Sequence, residues 1–546
     1  MRARAPLGPE LPTGLLVLLA VFGTWGLWFI YRTSFLVGDE RVFCLFDDAM
    51  ISMTYARNWI EGYGLNWARD GAPVEGFSCP LWTFYMALLH LLPLPLRFQS
   101  LLVQLSSLVA LMANVAVVFQ LVRRHFGCQR ASHALPAAIL TAAYYPLDLW
   151  SLQGMESGLQ ALLVTLAVLL ASDIAFAGRR RELPLFAVLT AAVLLRLDML
   201  LPVATVCGFL LLRGGLGAPR LRRWLLGCGA IIGALLAYEV FRWLYFHDWL
   251  PNTYYLKMTG LPAGTRILRG WLVFRDFLAI AAVPLGLALL GSAALARRRP
   301  QYVLPLLIVT LQLAYSVYVG GDAWEWSNVG ANRFQVIVMP LVFVMLGGLL
   351  NVALDRVRRR PGRELRLGPA DLYALAPATL ACLLLVDGLA GIDRADERRR
   401  NLLVLDAPLH VDLHRDTLIK LRKLERHFSP EARMLTVLAG IPAYFSDFRM
   451  ADTLGYNDRY IARLDHVDRL RVLDPTQLFK PGHNKLSYAY SLGTLRPDFV
   501  FQTFWLGARE PELMEWYGYE RRFGVWVRRD TVYLLPEPAG ESADGL

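Results

Sequence analysis

The chain has 546 residues, 55% of them hydrophobic, and a formal net charge of +11. Its apolar stretches recur about every 25 to 45 residues over the first 390 positions; a soluble globular chain lacks that pattern, because a run of roughly 20 apolar residues is what spans a bilayer. The basic excess does not signal nucleic acid, since the arginines fall between the apolar stretches and not along one soluble face.

In chain order the apolar runs predict about eleven transmembrane helices: Leu15 to Arg32, Phe98 to Val122, Ala134 to Trp150, Gly158 to Ala177, Pro184 to Arg196, Leu200 to Leu212, Trp224 to Phe246, Trp271 to Ala296, Tyr302 to Val319, Val336 to Asn351 and Leu372 to Leu389. The fifth and sixth are short, and one bent span would also account for them. No small-residue cleavage site follows the first, so it is expected to stay as an anchor. If the spans alternate, the clusters at Arg123, Arg179, Arg222, Arg297 and Arg358 share one side. Positive loops face the cytoplasm. The N-terminus is therefore expected inside, and the loops carrying Asp47, Lys257 and Asp322 outside.

The first outer loop, 34–99, is too long for a connector. Asp48 to Glu61 has helical periodicity, an acidic start and a stop at Gly62. Pro80 to Leu92 is apolar but short, and is read as a helix lying in the outer interface with Trp82, Tyr85 and His90 as interfacial side chains. Counting it as a span would invert every later loop. Cys44 and Cys79 flank this loop, where a disulfide stays open, and none of the six cysteines has metal-ligand spacing. After about Gly391 charged residues become frequent. Strands are predicted at Met434 to Ala439 and Pro497 to Gln502 and a hairpin at Phe523 to Leu535, giving one α/β domain that an odd number of spans places outside.

The outer loops gather carboxylates at Asp47, Asp48, Glu75, Glu156, Asp322 and Glu325, and sparse cations at Lys257 and Arg333. Transfer of a sugar from a lipid phosphate needs a carboxylate to take the acceptor proton and cations to meet the departing phosphate. Between Asp47 and Asp48, one is expected to cap the helix and one to do chemistry; Asp48 is the natural cap and Asp47 the chemical group. His247 to Lys257 is dense in aromatics, Tyr255 among them, beside a single lysine. Gly320 to Phe334 combines glycines, Trp324 and Trp326 as flat faces for a sugar, Asn332, and the forked cation Arg333. Arg196 and Asp198, at a break between apolar half-segments, read as an intramembrane salt bridge.

These residues carry a resemblance. Asp47-Asp-Ala-Met-Ile-Ser-Met-Thr-Tyr-Ala-Arg-Asn, Glu61-Gly-Tyr-Gly-Leu, Val74-Glu-Gly-Phe and Pro80-Leu-Trp look like the first-loop signature of polyprenyl-phosphate-dependent glycosyltransferases of the GT-C fold. The chain is most similar to the arabinofuranosyltransferase group, whose members cap arabinan or modify pilin. The likeness continues through Gly154-Met-Glu, Leu250-Pro-Asn-Thr-Tyr-Tyr-Leu-Lys, Gly321-Asp-Ala-Trp-Glu, Asn332-Arg-Phe, Leu454-Gly-Tyr-Asn-Asp458 and Pro481-Gly-His-Asn-Lys485. It departs from the arabinan-capping enzymes around Phe77-Ser-Cys-Pro80.

The resemblance implies a transmembrane GT-C domain over 1–390 and a periplasmic α/β domain over 391–546 in a bacterial cytoplasmic membrane. It makes Asp47 the catalytic carboxylate with Asp48 and Glu75 in support. It implies a polyprenyl monophosphate donor, D-arabinofuranose as the sugar, and a glycan or protein acceptor, pilin or cell-envelope polysaccharide. Lys257 and Arg333 are expected to hold the donor phosphate; Glu75, Glu156, Tyr255, Asp322, Trp324, Glu325 and Asn332 are expected around the substrates. No cofactor or metal is assigned, with a divalent cation left open at the outer carboxylates, and neither a nucleotide nor a nucleic acid is expected. Two rivals stand beside this reading: an oligosaccharide ligase using the same carboxylates, and a lipid or sugar transporter, whose polar groups would sit at the midplane.

Overall fold

The computed structural model describes residues 12–127, 131–213, 218–324, 330–358, 397, 399–465, 479–504 and 506–536. The predicted span at Leu372 to Leu389 lies outside these residues.

Helix α1 (Thr13–Thr33) leads into a short hairpin, β1 (Phe35–Val37) and β2 (Glu40–Val42). The first outer loop then forms α2 (Asp47–Ile60) and α3 (Pro80–His90), and α4 (Leu96–His125) returns through the bundle. Next come α5 (Leu135–Ala142), α6 (Tyr145–Leu152), α7 (Ser157–Ala177), α8 (Glu182–Leu195), α9 (Leu200–Arg213) and α10 (Ala218–Phe246). The bundle closes with α11 (Asn252–Met258), α12 (Ala263–Ala296), α13 (Val303–Tyr318), α14 (Arg333–Val336) and α15 (Met339–Arg358). Among the described residues seven helices are long and apolar enough to cross a membrane. The predicted span from Ala134 to Trp150 is instead two short helices, α5 and α6, parted at Ala143 and Tyr144. The fifth and sixth predicted spans are two arms: Arg196 leaves the helix with extended backbone (φ −155°, ψ 140°) and a single turn at Leu197–Met199 starts α9.

The basic residues between helices gather at one end. Arg124 and Arg179 both reach Asp173 in the last turns of α7 (3.1 and 3.2 Å), Arg223 pairs with Glu182 (3.1 Å), and Arg299 lies against Gly127. The first residues of α7 are at the other end, with α2 and α3.

Helix α2 begins at Phe46 without a side-chain cap and ends before Gly62, whose φ of +92° only glycine adopts readily. Helix α3 is where expected, but its polar groups face inward. Trp82 is buried and its indole N–H donates to the Gly154 carbonyl (2.9 Å), while His90 Nε2 meets the Tyr444 hydroxyl (2.9 Å). The interfacial role expected for them gives way to packing between loop, bundle and C-terminal domain. Cys44 and Cys79 are buried free thiols.

The C-terminal domain begins with α16 (Val411–Leu424) and holds a five-stranded sheet. Strand β3 (Arg433–Thr436) runs parallel to both β4 (Arg449–Asp452) and β5 (Phe499–Val500); β7 (Val525–Arg528) pairs antiparallel with β5 and with β6 (Tyr519–Arg522). Between β3 and β4 lies the one-turn helix α17 (Ile441–Phe445). The hairpin predicted at Phe523 to Leu535 thus lies earlier: Phe523 and Gly524 both have positive φ (52° and 73°) and form its turn rather than its start.

Candidate functional site

A cleft opens where the first turn of α2, the Gly154–Glu156 turn, α11, the start of α14 and the C-terminal domain meet; Asp48, Glu156, Lys257, Arg333 and Tyr456 line it. Five separate stretches of chain supply these groups.

Asp48 faces the cleft with its side chain 17% exposed, and its Oδ2 forms an ion pair with Arg333 Nη1 at 3.0 Å. Arg333 is held from the other side by Asp322, Nε to Oδ2 at 2.5 Å and Nη2 to Oδ1 at 2.7 Å. Burial alone would raise the Asp322 acid, but the guanidinium holds it far below the usual carboxylate range. The sequence builds this clamp locally. Gly320 and Gly321 have consecutive positive φ (87° and 73°), and a Cβ on Gly320 would meet Phe479 and Arg266, so only glycine makes the turn that presents Asp322. Asn332 caps α14 by accepting from Phe334 and Gln335 N–H, with Gln335 returning the bond, which fixes Arg333 at the first helical position.

Lys257 brings the other cation. Its ammonium lies 5.3 Å from the Tyr456 ring centre, and among the described residues it has no hydrogen-bond or ion-pair partner. Burial, then the charge of Arg333, lowers its pKa. Glu156 closes the floor, bound to Arg196 Nη1 at 2.5 Å, and Arg196 also pairs with Asp198 (2.9 Å). The expected Arg196–Asp198 salt bridge is present, with Glu156 as a third member.

The helix cap expected of Asp48 does not form. Asp47 is buried and turned away from the cleft. Its carboxylate accepts the Ile441 N–H at 2.8 Å and the Gly440 N–H at 3.2 Å. Successive helical residues point about 100° apart, so only one of the pair can face the cleft. Burial pushes the Asp47 acid up to about 7, opposed by the Ile441 N–H and aided by the charge of Asp48.

Glu75 and Tyr255 are near the cleft but not on it. Glu75 is a buried structural anion, bound by Arg242 Nε (2.5 Å) and the Tyr238 hydroxyl (2.6 Å), and its backbone carbonyl accepts from Asn252 N–H at the start of α11 (2.9 Å). It thereby ties the Gly76–Ser78 wall to the helix bearing Lys257. Tyr255 packs under Arg463 (4.0 Å) and accepts from Lys485 through its carbonyl. Trp324 stands behind Phe46, whose ring centre is 5.2 Å away, with His410 and His483 beside it. Glu325 lies outside the described residues. Among the described residues no group of three or more His, Cys, Asp or Glu is placed to hold a metal ion.

Sequence reasoning gave no role to Tyr456, His483, Arg242 or Tyr238. Arg242 carried a signal: with Glu239 it breaks an otherwise apolar span, and such groups are costly unless paired. Tyr456 and His483 sat in motifs noted only for their likeness.

Neither a protein-family model nor a curated protein matches the sequence. Among solved structures the chain is similar to ArnT from Cupriavidus metallidurans bound to undecaprenyl phosphate: 13% identity, TM-score 0.50, over 81% of this chain and 86% of that one. The apo state of the same protein gives 14%, 0.51, 82% and 87%. The Archaeoglobus fulgidus oligosaccharyltransferase tethered to an acceptor peptide gives 12% and 0.46, over 80% and 63%. The likeness to the two ArnT structures shows the fold: a mainly α, polytopic GT-C architecture with a C-terminal strand-containing domain.

Proposed function

We propose that the protein is a membrane glycosyltransferase that takes a sugar from a polyprenyl monophosphate and gives it to a hydroxyl outside the cytoplasmic membrane. The observation that carries this reading is one cleft holding a carboxylate, Asp48, beside a cation without a partner among the described residues, Lys257. That the similar ArnT structure is bound to undecaprenyl phosphate supports a lipid phosphate as ligand. Asp48 is the base. The acceptor hydroxyl gives its proton to Asp48 as its oxygen bonds to the anomeric carbon; the bond from that carbon to the phosphate oxygen breaks, its electrons leaving on the polyprenyl phosphate. Lys257 meets the charge on the departing phosphate, and Arg333, whose fork is engaged by Asp322, sets Asp48 and adds its field.

The resemblance to the arabinofuranosyltransferase group, which runs through motifs from Asp47 to Lys485, supports D-arabinofuranose as the sugar, and pilin or a cell-envelope polysaccharide as the acceptor. Incubating purified protein with a panel of defined polyprenyl-phosphate sugars tests this. Consumption of the arabinofuranosyl donor is expected; consumption only of pyrophosphate-linked oligosaccharides would replace the reading with a ligase.

The orientation proposed is cytoplasmic for the arginine-rich end and periplasmic for the cleft and sheet domain. Trp516 is 75% exposed. In a chain with its cysteines changed to serine, Trp516→Cys is expected to react with an impermeant maleimide in intact spheroplasts, and reaction only after permeabilisation would invert the topology.

A further inference from the structure

The helix that carries Asp48 is gripped by the C-terminal domain. Besides the two N–H groups that Asp47 accepts, Arg57, nearly three turns along α2, donates to the Tyr444 carbonyl (2.6 Å) and pairs with Asp447 (2.7 Å). From the same loop, the Trp67 indole N–H donates to the Ala439 carbonyl (2.7 Å). All of these partners belong to the single segment from Ala439 to Asp447, which runs from the end of β3 through α17. The approach is close: a Cβ built on Gly440 would lie 2.0 Å from the Asp47 carbonyl oxygen, a backbone atom that no rotamer change can move. A buried carboxylate facing two backbone N–H groups and no cation has little other work there, since removing it would strand both donors away from water.

We infer that Asp47 is a positioning residue: its carboxylate latches the first turn of α2 to Gly440 and Ile441, so that the C-terminal domain sets where Asp48 stands in the cleft. The adjacent acids then have separate tasks, one turned to the domain and one to the substrates. A helix held at its first and third turns cannot rotate about its axis, and rotation is the motion that would swing Asp48 away from an acceptor oxygen. The inference rests on Asp48 being the base, as proposed above.

The test compares the full-length protein with Gly440→Ala and with Asp47→Ala, which removes both acceptor oxygens, in lipid nanodiscs, by hydrogen exchange and by kinetics. Both variants are expected to exchange faster across residues 47–60 and 439–447, and to lose about tenfold or more in kcat through misplacement of the base, while donor affinity holds. Unchanged exchange in residues 47–60 would overturn the latch, and so would a wild-type kcat in a variant whose exchange there has risen. Should Gly440→Ala fail to fold, Asp47→Ala decides alone. The exchange measurement needs no substrate, so a protein that turns over none of the donors would defeat the functional reading while leaving the latch decided.

Discussion

Asp48→Asn is expected to lower turnover by about a hundredfold or more, the usual loss when a general base is removed, with the protein still folded and the donor still bound. Asparagine has the same shape and keeps an oxygen for Arg333, but it cannot take a proton at neutral pH. Asp322 continues to hold the guanidinium by two bonds, so removing the Asp48 charge does not leave Arg333 stranded. The check is the single-turnover rate of purified variant against wild type, with melting temperature measured alongside. A wild-type rate in Asp48→Asn would reduce Asp48 to a charge partner of Arg333 and leave the cleft without its base.

The two cations should respond to mutation in opposite ways. Lys257→Ala removes a charge without a partner among the described residues, so stability should hold while donor affinity falls by roughly ten- to a hundredfold, the worth of one charge-assisted contact to phosphate. Arg333→Ala does something else first. Asp322 is 3% exposed and would lose both of its guanidinium bonds while keeping the Ala323 N–H; removing one partner of a buried ion pair costs about 3 to 5 kcal/mol. A large fall in melting temperature is therefore expected, and weakened donor binding measured on that variant reports collapse of the clamp as much as a lost phosphate contact. Arg333→Lys should recover part of the stability but not the forked geometry. Titrating both alanine variants with a non-transferable donor analogue and melting them in parallel separates the effects. Unchanged donor affinity in Lys257→Ala would move the phosphate site elsewhere in the cleft.

Much of the architecture could be read from the chain because hydrophobic length and charge placement act one helix at a time. Helices α2 and α3 were found to within a residue or two from an acidic start, a proline start and a glycine stop. Segments whose form depends on distant partners were read less well. The α5–α6 break falls just before Pro146, a stop signal passed over when the apolar run was read as one span, and Trp82 looks amphipathic until Gly154 is seen to accept its N–H. Strand β4 was missed because Arg449 to Asp452 is short and half polar; its place comes from pairing with β3. In the site, the cation and carboxylate types were legible. Which of two adjacent aspartates faces the substrates was not, since that depends on Gly440 and Ile441, nearly four hundred positions away. Glu75 drew notice as an acid in a dense loop, and only the approach of Arg242 shows its charge to be satisfied within the wall.

The dispersal of the cleft along the chain also bears on how the molecule is made. Asp48, Glu156, Lys257 and Arg333 emerge from the ribosome in that order, but Tyr456, which faces Lys257, and the Gly440 segment that holds α2 come last. With the orientation proposed above, the nascent chain inserts its helices well before the final domain has been exported. During that interval the membrane contains a bundle whose acidic and basic groups are present but whose geometry is unfinished. On the orientation and activity proposed above, the cleft would be completed only when export is, and a partly translocated chain would not yet act on the lipid pool around it.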